Sequence, residues 1–261
     1  MALKKLSNIL SKADLRVMTR PVVISLLVGL VTGCAAVLFY FAANSVEHLF
    51  LDQLAGFHPP EEGAEAVLAF GERQIESLAM DHRWFLCLIP VIGGLVSGYL
   101  VFTFAPEAEG HGTDAAIDAF HNKGGAIRGR VPIIKGLASI ATIGTGGSAG
   151  REGPIAQIGA GFASFIATRL KFSHADRRIL LLAGMAGGIG ATFRAPLGGA
   201  LFAVEVLYKD PDFEHEGLIP AIISSITAFS LFGATTGWRP LLETPHFRFE
   251  HPRELIVYLV L

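Results

Sequence analysis

Charge is scarce in this sequence. Only 17% of its 261 residues are Asp, Glu, Lys or Arg, whereas a soluble domain carries about a quarter. With 51% hydrophobic residues and a mean hydropathy of +0.50, the deficit argues against a soluble globular domain and for a chain embedded in a lipid bilayer. A basic excess is missing too. The formal net charge is −2 and no basic stripe occurs, so nucleic acid is not an expected partner. Cysteine is nearly absent. Cys34 and Cys87 both sit inside apolar runs, which excludes a disulfide framework and predicts two buried thiols.

What the chain has is long apolar runs, but only near its start. Lys4, Lys5, Lys12, Arg16 and Arg20 precede the run Pro21 to Phe41. A cleaved signal is one reading, and "VTGC" (Val31 to Cys34) resembles a lipoprotein box. The run continues past Cys34 to Phe41, however, longer than the roughly 7–15 residues of a signal's apolar core. A first membrane helix over about 21–45 is the better reading, with residues 1–20 as a basic helix on the cytoplasmic surface. Residues 46–83 carry Glu47, Asp52, Glu61, Glu62, Glu65, Glu72, Glu76 and Asp81, and this acidic excess suits the outer face. A second span runs from Trp84 to Phe104.

Beyond it the apolar segments shorten and are broken by Gly and Pro: Val131–Thr145, Pro154–Thr168, Ile179–Phe193, Pro196–Leu207 and Leu218–Phe232. Several are too short to cross about 30 Å of hydrocarbon unless they tilt or stop partway. The basic stretches 121–130 and 169–178 read as cytoplasmic loops, and 236–253 as an outer one. Irregular backbone at membrane depth survives only where protein buries it or where it lines a wet cavity. Broken helices in transporters point their N-terminal N–H groups at anions. The spacing therefore predicts an all-α, polytopic membrane protein with short, tilted, discontinuous helices and an ion or substrate site near mid-membrane. A compact bundle packed through small residues is the alternative.

One loop concentrates the question. "GREGP", Gly150 to Pro154, places Arg151 and Glu152 within a glycine-rich apolar stretch. Pro154 favours a helix start, predicting a helix over Pro154 to about Thr168 with Glu152 at its positive end. A free anion suits the same place. Glu152 is then either a tethered substitute for an anion, released on protonation, or half of an Arg151–Glu152 pair that only caps the helix. Other chemistry competes. "GGSAG" (Gly146 to Gly150) fits a nucleophile elbow around Ser148, with His174 or His215 as base, although no strand precedes it. Asp114, Asp118 and His121 share a helical face that a metal would suit, but an acid-started helix with a solvated polar face explains the same residues.

The residues of this loop, followed by "IAQIGAG", resemble the G-(K/R)-E-G-P signature of the CLC chloride channels and proton-coupled chloride antiporters. "GHGTD" (Gly110 to Asp114) stands where that family has G-S-G-I-P. Leu181 to Leu207 resembles its stretch with an A-P-(L/I)-(A/G)-G core. The resemblance implies a homodimer with an anion pathway in each subunit, each subunit built of two inverted halves. It implies transport of chloride or a similar anion, protons as possible co-substrates, and no cofactor or metal. Glu152 becomes the gate and proton carrier. Gly150, Arg151, Gly153 and Pro154 shape the loop, and Ile155 and Ala156 offer N–H groups. His111, flanked by Gly110 and Gly112, replaces the family's anion-coordinating serine. The internal proton glutamate of the antiporters falls on Val206, leaving Glu205 as a possible relay. Residues 21–252 are expected to form the first inverted repeat. Residues 253–261, "RELIVYLVL" from Arg253 onward, would begin a further helix, so a C-terminal half is expected as a partner. A non-transporting half-subunit is the remaining alternative. The expected location is the plasma membrane, with the N-terminus cytoplasmic.

Overall fold

The computed structural model of the protein describes residues 12–57, 84–208 and 215–238. The expected helix start at 253–261 and most of the acidic segment 46–83 lie outside the described residues. Among those residues every regular element is helical. α1 spans Lys12–Glu47 and runs on into a π-helical turn, His48–Leu54. The expected boundary near residue 20 therefore falls inside one continuous helix. α2 is Phe85–Phe104, α3 Thr113–Asn122, α4 Val131–Ile143, α5 Glu152–Arg169, α6 His174–Thr192, α7 Pro196–Glu205 and α8 His215–Thr236.

Among the described residues three stretches are long and apolar enough to cross a membrane: Val23–Leu54, Phe85–Phe104 and Glu216–Thr236. α2 buries only Ile89, Gly93 and Val101 and leaves Leu95, Tyr99 and Phe102 exposed. In water such a helix would be unstable; in hydrocarbon it needs no cover. Lipid also explains the cysteines. Cys34 and Cys87 are both exposed, against the expectation of burial, because apolar runs in a membrane protein face outward as well as inward.

α6 is the axis of the packing. It touches α1, α3, α5, α7 and α8, and every residue from Leu180 to Ala191 is buried. Small residues make this possible, since without a hydrophobic drive in lipid, helices associate by close backbone contact. A Cβ at Gly159 of α5 would collide with the carbonyl of Gly184 of α6, and a Cβ at Gly184 with the carbonyl of Gly159. α6 begins earlier than the basic stretch 169–178 suggests. Ser173 caps it, its Oγ accepting from the Asp176 N–H at 3.1 Å, so the loop shortens to Leu170–Ser173.

Candidate functional site at two helix starts

α5 begins at Glu152, two residues ahead of the expected start, and Pro154 is its third residue. The shift changes which amides are free. The Ile155 N–H already donates to the Arg151 carbonyl at 3.2 Å, and Ile155 and Ala156 are buried. Among the described residues the N–H groups of Glu152 and Gly153 have no backbone acceptor, as a helix start requires. The expectation that Ile155 and Ala156 carry the first free N–H groups is corrected by this geometry, since Ala156, one residue deeper, bonds within the helix.

α3 starts beside it. Its N-cap, Gly112, has φ +111°, and Gly110 has φ +74°, a region that glycine occupies without a steric penalty. A Cβ on Gly112 would sit 2.8 Å from the Gly153 carbonyl and 3.0 Å from Gln157 Oε1. A Cβ on Gly153 would collide with the His111 carbonyl and lie 2.6 Å from His111 Nδ1. Glycine on both sides thus lets two positive helix ends meet at His111–Gly112 and Gly153. His111 is exposed, and its Nδ1 lies 3.0 Å from Thr113 Oγ1.

Glu152 stands at the rim of this junction. Its side chain is exposed and folds back over Gly150, where a Cβ would strike the carboxylate. Among the described residues it has no hydrogen bond or ion pair. Arg151 does not pair with it. The guanidinium instead reaches Glu47 Oε2 at 3.1 Å and lies 5.9 Å from the Tyr40 ring centroid. The capping pair Arg151–Glu152 is therefore not formed, because α1 ends within reach and offers a carboxylate and an aromatic face together.

Other expected residues lie apart. Glu205 is exposed at the last position of α7, and Val206 beside it is half-buried. His121, in the last turn of α3, bonds through Nε2 to the Leu207 carbonyl at 2.9 Å. The end of α7 thus adjoins the far end of α3, about 15 Å of helix from Gly112. Ser148 is exposed in coil after α4, with no strand before it and no histidine bonded to it among the described residues; a nucleophile elbow is not built. His174 opens α6, and His215 opens α8. Asp118 is bound by Asn122 and Lys123, and the described residues hold no group of three metal-ligating side chains.

Two residues at the junction escaped sequence reasoning. Gln157, buried in α5, donates Nε2–H to the Glu107 carbonyl at 2.8 Å, and its Oε1 has no partner. Lys135 is 4% exposed in α4 and donates to the carbonyls of Ala108 at 3.0 Å and Gly110 at 2.6 Å. The available signal was that Lys135 is the one charged residue in Val131–Ile143. Below them, Arg128 pairs with Glu107. Burial pushes the Glu107 carboxyl up, but the Arg128 hydrogen bond, its own backbone N–H and the charges of Arg128 and Arg130 outweigh this and hold it below the ordinary value.

An all-helical membrane protein whose short helices stop at a shared, glycine-lined junction is built in the manner of an ion transporter. The sequence profile of the family described as "Voltage gated chloride channel" matches residues 93–261, and the chain belongs to that family. Chloride channel protein CLC-e of Arabidopsis thaliana is 31% identical over 242 residues, covering 90% of this chain and 32% of its own length. The H(+)/Cl(-) exchange transporter ClcA of Vibrio campbellii is 32% identical over 180 residues, 68% of this chain and 38% of its own. The crystal structure of a slow cyanobacterial Cl-/H+ antiporter superposes with a TM-score of 0.72 at 21% identity, covering 92% of this chain and 52% of that one. The chain thus spans about a third of the length of these two curated relatives and about half of the solved antiporter.

Proposed function

We propose that this chain forms the first half of an anion transport pathway for chloride or a similar anion, working as a channel or in exchange for protons. The observation that supports it best is the meeting of two glycine-capped helix starts at His111–Gly112 and Gly153, with an unpaired Glu152 at the rim. Free N–H groups and aligned peptide dipoles attract an anion there. A carboxylate in the same position competes with that anion until it is protonated, which makes Glu152 the gate and the proton carrier.

In this reading His111 supplies a ring N–H at the inner side. Gly150, Gly153 and Pro154 set the backbone path, and Arg151 anchors the loop to α1. Glu205 is the nearest acid to the position held by Val206 and serves as the inner proton relay where protons are exchanged. A C-terminal half closes the pathway from the other side, and two such subunits pair. The N-terminus faces the cytoplasm of a cell whose plasma membrane holds the protein.

The test is chloride efflux from liposomes containing the purified chain, with proton movement recorded alongside. The expected result is efflux in the wild type that depends on pH, and efflux in Glu152→Gln that does not. Identical pH profiles in the two would refute Glu152 as the gate. Absence of efflux in the wild type would favour the reading of a half-subunit that transports nothing by itself.

A further inference from the structure

The two basic stretches 121–130 and 169–178 hold seven Lys and Arg, three in the first and four in the second, against one acid, Asp176. The fold brings them together and fastens them. The Ile127 N–H donates to Ser164 Oγ at 2.8 Å, and Ser164 Oγ donates to the Gly125 carbonyl at 2.6 Å. Arg177 Nε donates to the Gly124 carbonyl at 2.8 Å. A Cβ on Gly129 would lie 2.6 Å from Phe165 Cδ2, and one on Gly161 would lie 2.9 Å from Pro132 Cδ. These contacts step forward along α4 as they step back along α5. The helices are therefore antiparallel here, with Arg130 and Arg169 at the same end.

Both helices turn from basic to apolar away from that end. Arg130, Ile133 and Leu137 share a face of α4 by their spacing of three and four, and Ile133 and Leu137 are 54% and 50% exposed. On α5, Arg169 lies one turn beyond Phe165, its guanidinium carbon 5.9 Å from the ring centroid, and that ring is itself exposed. The charge is only partly cancelled. Among the described residues Lys123 takes Asp118, Arg128 takes Glu107, and Asp176 accepts from Ser173. The charge of Arg130 also reaches Glu107, so one carboxylate stands between two guanidinium groups. Arg130, Arg169 and Lys171 are exposed and form no salt bridge among the described residues.

A cationic rim above an exposed apolar face complements a phospholipid with a negative headgroup, whose phosphate stays at the membrane boundary while its chains follow the hydrocarbon. We propose that the α4–α5 face holds an anionic phospholipid, with its phosphate on Arg130 and Arg169 and its acyl chains against Ile133, Leu137 and Phe165. Glu152 and the junction of helix starts take no part in this site.

The test is native mass spectrometry of the full chain, released from micelles doped with equal amounts of phosphatidylglycerol and phosphatidylcholine of identical acyl chains. An exposed cation at an anionic headgroup changes affinity by about fivefold. Two such contacts predict that the wild type retains phosphatidylglycerol in an excess on the order of twentyfold. Arg130→Gln and Arg169→Gln should each reduce that excess by about fivefold, and the double variant should retain the two lipids almost equally. Lys123→Gln, which removes the same charge from a residue already paired with Asp118, should leave the excess unchanged. Glycerophosphate added at millimolar concentration should not displace the lipid, because it lacks the acyl contacts. Equal retention of the two lipids by the wild type overturns the proposal. So does a loss in Lys123→Gln as large as in the arginine variants, which would mean diffuse surface charge. Displacement by glycerophosphate also overturns it, and would identify a site for free phosphate instead.

Discussion

Arg151 bypasses its neighbour Glu152 and pairs with Glu47, 104 positions earlier, at 3.1 Å. The two groups are only 21% and 23% exposed. The pair joins the end of α1 to the start of α5, and it leaves Glu152 without a counter-ion among the described residues. Arg151 is thereby kept from neutralising Glu152.

Removing Glu47 should therefore do two things. Glu47→Gln is expected to lower stability by about 1 kcal/mol, the scale of a partly exposed ion pair, measured as a lower thermal midpoint in detergent. It should also release Arg151 toward Glu152 and flatten the pH dependence of anion efflux. An unchanged midpoint together with an unchanged pH profile would show the pair to be idle.

The junction of the helix starts is sensitive at one glycine and tolerant at another. Gly110→Ala meets nothing within 4 Å and bears only its positive φ, a cost of about 1 kcal/mol. Gly112→Ala adds a contact of 2.8 Å with the Gly153 carbonyl. Chloride affinity by calorimetry should fall clearly further in Gly112→Ala than in Gly110→Ala. Equal losses would mean that the two helix ends do not need to touch.

Packing around α6 makes a stability prediction free of function. Gly159→Val places a side chain against the Gly184 backbone and Thr32. Neither the helix nor its neighbours can retreat, so the cost should exceed about 3 kcal/mol, the upper end of ordinary overpacking. Gly136→Ala, which meets only Ile158 at 3.6 Å, is the control and should be near neutral. Monodisperse yield and thermal midpoint distinguish them.

The Glu107–Arg128 pair predicts a pH effect with a definite sign. The folded carboxyl is held below its ordinary value of 4.5 despite some burial. Its stabilising contribution is fully present above that ordinary value and is lost as pH falls through the lower, folded one. Wild-type stability should decline on acidification below about pH 4.5, and Glu107→Gln should decline less over the same range. A steeper acid decline in the variant would contradict the sign.

The class of fold was legible before any coordinates. Sparse charge and apolar runs that shorten along the chain follow from local composition, and lipid tolerates little else. An apolar run placed α2, and proline and glycine punctuation placed α4, α5 and α7 within a few residues, because a helix start without a free N–H and a loop with positive φ are properties of single residues. The glycine-flanked pair Arg151–Glu152 announced itself in the same way, as a cost that a membrane protein does not bear idly.

Other features depended on which surfaces meet. No local rule tells Arg151 to choose Glu47 over the adjacent Glu152, since that choice depends on where α1 ends in space. Burial of Lys135 depends on α4 lying against the Glu107–Gly110 segment, and exposure of both cysteines on which sides of α1 and α2 remain uncovered. Local chemistry follows neighbours in the chain, and so sequence reveals it; charge pairing and burial follow neighbours in space, which the packing of α1, α4 and α5 against one another alone supplies.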